Sequence, residues 1–112
     1  MTVAYVILLG AGLAILVTAI LAAGGRLPRN YVAGIRTPSL LRSEQAWRAG
    51  HAAAAPWLVG AGAVVTIGAV TLLAVRPDEL AGAACLLALT GIMGVLVGVA
   101  MRVAGRAARE VG

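Results

Sequence analysis

Three runs without a single charged side chain dominate this sequence: residues 2–25, 52–75 and 80–101. They hold 24, 24 and 22 residues. About 20 helical residues cross a hydrocarbon layer about 30 Å thick, so each run is long enough to span with some tilt. Lipid offers no partner to a bare backbone N–H or C=O, so each run must be a helix. The chain therefore reads as an all-α integral membrane protein with three transmembrane helices. The spans fall near residues 3–24, 56–75 and 80–102, in a single domain over residues 1–112. Composition supports this: 62% of residues are hydrophobic and 12% are charged. That little polar surface cannot cover a soluble core of this size. An ordinary soluble domain, a disordered chain and a nucleic-acid-binding module are excluded, despite a net charge of +5.

The first run reads as a retained span, not a cleaved leader. No basic side chain precedes it, and it is longer than the apolar stretch of a signal peptide. Residues 21–24 only weakly mimic a cleavage site. All nine basic residues are Arg, and they are unevenly placed. The 26-residue segment 26–51 holds Arg26, Arg29, Arg36, Arg42 and Arg48. The tail holds Arg102, Arg106 and Arg109. Three spans put that loop and the tail on one side, with eight Arg against the single Arg76 opposite. The positive-inside rule then predicts a cytoplasmic loop and C-terminus, and an N-terminus outside. The basic residues follow membrane segments, so anionic lipid headgroups are the expected partner of that face. The steps of Arg102, Arg106 and Arg109 predict a basic stripe extending the third helix as an inside anchor. Pro77 ends the second span and Asp78 suits the cap of the third, so these two spans form an antiparallel hairpin.

Small residues recur at four-residue steps. Gly10, Ala14, Thr18 and Ala22 form such a line on the first helix, with Gly60, Val64, Gly68 and Leu72 on the second. The third carries Gly91, Gly94 and Gly98. Such lines let helices approach closely in lipid. Packing within the chain and a homo-oligomer face on the third helix are both open readings. The lone Cys85 excludes an internal disulfide and reads as a small helix-packing residue.

No ionisable residue lies inside a span, where proton relays and ion pathways normally place one. No nucleophile–base pair or metal-ligand spacing is present, and Asp78 lies across the membrane from His51. The expectation is no enzyme, no catalytic residue, no metal and no cofactor. Polar chemistry concentrates in the loop 26–51. Its first half is punctuated by Pro28, Asn30, Gly34 and Pro38, which are turn residues. Ser43 can cap a helix running from Glu44 into the second span. Trp47, Gly50, His51 and Ala54 then share one face, while Arg48 lies off it and reaches headgroups. Trp47 and Trp57 suit the membrane interface, each with a half-wet indole. Pro56 either kinks this helix or opens the span proper. His51 reads as a hydrogen-bonding residue of the helix face.

Asn30, then Gly34-Ile35-Arg36-Thr37-Pro38, then Ser43-Glu44, Trp47 and His51 resemble the signature loop of the SdpI immunity-protein family. The resemblance implies a small multi-span bacterial plasma-membrane protein with this loop between two spans. It implies protection of the cell against a membrane-active toxin peptide, and a regulator held at the membrane as a signalling partner. The candidate functional residues are Asn30, Gly34, Arg36, Thr37, Pro38, Ser43, Trp47 and His51. The Arg36 fork suits a phosphate or carboxylate, with Thr37 and Asn30 adding neutral donors. Alternatively, Arg36 and Asn30 bond loop carbonyls and fix the loop against the second span. Two other functions stay open: an accessory subunit packed on a larger membrane complex, and a small oligomeric transporter.

Overall fold

In the computed structural model, residues 1–27, 34–35 and 37–111 are described. Among the described residues four helices follow in order: α1 (Thr2–Ala23), α2 (Pro38–Leu41), α3 (Glu44–Val75) and α4 (Glu79–Arg109). Three of them, α1, α3 and α4, are long and apolar enough to cross a membrane. The short α2 is not foreseen by periodicity, because four residues carry too little pattern. The molecule measures 52 × 21 × 20 Å. A helix of 32 residues is about 48 Å long, well beyond a hydrocarbon core of about 30 Å. The surplus turns of α3 and α4 lie together at the end that carries the loop. The chain is thus a slender membrane bundle with a small extramembrane layer at one end.

Local chemistry explains where the helices stop. At the end of α1, Gly25 turns left-handed at φ 68°. Arg26 N–H then donates to Leu21 O at 2.8 Å, and Gly25 N–H to Ala22 O at 3.2 Å. This is a Schellman stop, which glycine makes at no steric cost. The small residues that weakly mimic a cleavage site are the end of a helix. Ser43 caps α3 by accepting from Ala46 N–H at 3.0 Å, as its position predicts. Asp78 caps α4 by accepting from Ala81 N–H at 2.8 Å. At the end of α3, Arg76 adopts a left-handed conformation, φ 51° and ψ 64°. Its N–H closes on Leu72 O and its Nε reaches Leu73 O at 3.4 Å. Pro56 lies inside α3, which runs on through it.

Helix α3 is central, with α1 on one side and α4 on the other. Between α1 and α3 the backbones nearly touch. A Cβ on Gly62 would lie 2.7 Å from the Leu16 backbone nitrogen. A Cβ on Gly12 would lie 2.9 Å from the Thr66 backbone nitrogen. Between α3 and α4 the Leu89 side chain fills the space over Gly68. Helices α1 and α4 meet where the Tyr5 hydroxyl lies against Gly82.

The small-residue lines need correction. On α1 the packed face is Tyr5, Leu8, Gly12, Ala19 and Ala22. Gly10 faces open space. On α3, Gly68 and Leu72 are packed, but Gly60 meets nothing and Val64 is exposed. On α4, Gly91, Gly94 and Gly98 all face open space, so the intramolecular reading fails for them. Cys85 is exposed on α4, so it is not part of the packed interior that its expected role implies.

Candidate functional site

Ser43 fixes the register of α3, and that register aims Trp47, Gly50, His51 and Ala54 inward. All four are buried, as their shared face predicts. Trp47 and His51 then meet the returning segment at Gly34 and Ile35. His51 Nε2 accepts from Ile35 N–H at 2.9 Å. That nitrogen is therefore unprotonated, and the ring proton sits on Nδ1. Nδ1 donates to Trp47 O, one turn back, at 2.9 Å. The two rings stack with centroids 4.1 Å apart, tilted by 37°. Trp47 Nε1–H donates to Leu27 O at 2.9 Å, which ties in the chain just beyond α1. One histidine and one tryptophan thus clasp both ends of the intervening segment.

Gly34 makes the clasp possible. Its φ is +97°, and a Cβ there would sit 2.7 Å from His51 Nε2 and 3.2 Å from the Trp47 ring. Burial makes a charge on His51 costly, so its pKa lies below the ordinary value of 6.5, with the Trp47 carbonyl partly opposing. The neutral ring is the form the two hydrogen bonds require.

Trp47 departs from expectation. It is fully buried instead of half-wet, because its one polar group is satisfied inside. Trp57 does remain exposed, at 42%. Below the clasp, Pro38 occupies the first turn of α2, and Thr37 precedes it with no side-chain capping bond. Leu40 of α2 is buried against Gly50, where a Cβ would meet its Cδ2 at 2.6 Å. Arg42 reaches across to α4 and donates to Ala108 O at 2.6 Å and Val111 O at 2.7 Å. Those carbonyls are left over at the helix end, and the cation also suits the negative end of its dipole.

The structure brings Gly34, Trp47 and His51 together. Thr37, Pro38 and Ser43 lie apart from that cluster and shape the chain leading into α3. Asn30 and Arg36 lie outside the described residues. Leu27 and Arg42 carry no signal in sequence, since Leu27 takes part through its own backbone carbonyl and Arg42 donates to backbone carbonyls. Gly50 did carry one: a glycine on the face of two large rings marks a close approach.

The clasp also shapes a cavity. Gly34 and Ile35 roof an apolar groove of about 330 Å³ between α1 and α4. Leu58 of α3 is its floor, Val97 one wall, and Ala14, Ile15 and Thr18 the other. Ala14 and Thr18 of the expected packing line of α1 therefore line an open groove.

Comparison with known proteins adds one finding. Residues 26–105 match the profile of a family described as the SdpI/YfhL protein family. No curated protein and no solved structure matches the chain.

Proposed function

The chain belongs to the SdpI/YfhL protein family, and from that premise we propose that it protects a bacterial cell from a membrane-active toxin peptide by binding, without catalysis. The observation that carries this reading is the groove. The motif residues Gly34, Trp47 and His51 hold a roof over an apolar slot that lies at the depth of the spans. An apolar peptide segment in the bilayer matches such a slot in size and chemistry. His51 spends both ring nitrogens on the clasp, so it has none left for acid–base work. In this reading the protein lies in the plasma membrane, with the loop and C-terminus cytoplasmic and the N-terminus outside. Holding a regulator would fall to the extramembrane layer on the loop side.

Deletion and overexpression test the proposal, scored by survival against a panel of membrane-active peptides. Overexpression should raise survival against at least one of them, and Thr18→Leu, which fills the groove, should lower it again. Unchanged sensitivity to the whole panel in both strains would overturn the immunity reading.

A further inference from the structure

A second recess lies between the segment entering α2 and the end of α4. It measures about 360 Å³ and is lined by Thr37, Ser39, Met101, Arg102, Gly105 and Arg109. We propose that it is a binding site for a phosphate group, supplied by a lipid headgroup or by free phosphate.

Several features converge. Arg109 folds back along its own helix over Gly105, where a Cβ would lie 3.3 Å from its Nη1. Glycine at 105 leaves room for the guanidinium to lie along the helix, on the recess that Arg102 also lines. Neither Arg102 nor Arg109 has a hydrogen-bond or ion-pair partner among the described residues. Their neighbour Arg42 differs, since its donors are used on Ala108 O and Val111 O. No acidic side chain lines this recess; Glu110 lines the adjacent one with Arg106, and Arg102 borders both, which leaves Arg109 as the cation that belongs to this recess alone. Two like charges sharing a recess repel, and an anion between them removes that penalty.

Hydroxyls complete the set. Thr37 Oγ1 is buried without any hydrogen-bond partner. It makes no capping bond to α2 either. A buried hydroxyl in that state is costly, and a turn about χ1 is the simplest way to satisfy it. Ser39 supplies a second hydroxyl beside it. Guanidinium forks plus neutral donors are the set that recognises a phosphate. Depth also fits. Arg102 is the first charge after the uncharged run 80–101, which puts the recess at headgroup level with Met101 at its apolar edge.

The test uses the full chain in phosphatidylcholine micelles, titrated with phosphatidylglycerol and read by native mass spectrometry. Phosphatidylglycerol should bind in preference to phosphatidylcholine. Arg109→Gln should weaken it roughly tenfold or more, and Thr37→Val about fivefold. Arg106→Gln removes the same charge from the adjacent recess and should change binding by less than about twofold. Equal losses from Arg106→Gln and Arg109→Gln would overturn the site and leave only diffuse attraction. Equal binding of the two lipids, with no binding of inorganic phosphate, would overturn it too. Inorganic phosphate competing at millimolar level assigns the site to the free anion. Phosphatidylglycerol binding that inorganic phosphate does not displace assigns it to the headgroup. Unchanged thermal unfolding of both Arg variants, whose side chains are exposed, keeps the comparison one of binding.

Discussion

Protonating His51 would place an N–H on Nε2, facing the N–H of Ile35 that it now accepts from. The clasp would lose its acceptor and gain a repulsion. Burial holds the folded pKa below 6.5. An unclasped His51 takes up its proton near 6.5, so acid favours the open form. The clasp is thus fully stable above about pH 6.5 and weakens as pH falls toward the folded value. Trp47 reports this directly, since its ring stacks on the imidazole. In a Trp57→Phe background, its emission should be flat above pH 6.5 and change below it, with a midpoint under 6.5. His51→Gln should abolish the change, and a midpoint at or above 6.5 would refute the burial argument. Gly34→Ala attacks the same clasp from the other side. A left-handed alanine is strained by about 1–3 kcal/mol, and its Cβ would also press on His51. Limited proteolysis between Leu27 and Pro38 should be faster in that variant, while the helices stay folded. Much of this site was legible: the Ser43 cap and the 47–50–51–54 face follow from spacing. The Trp47–Leu27 and His51–Ile35 bonds did not, because a side chain's choice of a distant backbone group leaves no pattern in the sequence.

Among the helices, contact geometry decides which glycines matter. Gly62→Ala would put a methyl group 2.7 Å from the Leu16 backbone, which cannot rotate away. Helix α1 must shift, and overpacking of this kind costs typically about 1–3 kcal/mol. Gly94→Ala enters open space and should be neutral, or stabilising by up to about 1 kcal/mol through helix propensity. Unfolding of each variant in mixed micelles, titrated with a denaturing detergent, measures the difference. Equal loss of stability would mean that Gly94 is covered by another copy of the chain. The spans themselves were legible from charge and length alone. Their rotations were not. Ala and Gly are so frequent that a line of small residues does not by itself mark the packed face of a helix. Gly10 lies in the small-residue line and Gly12 does not, yet Gly12 is the packed one, about 200° away on α1. Only the partner helix, absent from a one-dimensional pattern, selects between them.

For the molecule as a whole, the proposed orientation rests on eight Arg against one. A reporter active only outside the cytoplasm should work when fused at the N-terminus or at Pro77, and stay silent at Ser39. Activity at Ser39 would reverse the orientation and remove any cytoplasmic partner. The turn between α3 and α4 bears on how that orientation is reached during insertion. If the loop stays inside, residues 76–79 are the part of the hairpin that must be carried across the bilayer. They hold three charges, and each lies at a helix end of suitable polarity. Arg76 sits at the carbonyl end of α3, bonded to Leu73 O, while Asp78 and Glu79 sit at the amide end of α4. A hairpin that closes before it crosses carries these charges already opposed by its own backbone, so its passage costs less than that of three bare ions. The left-handed cap at Arg76 folds the one opposing cation onto its helix and weakens its vote for the wrong side.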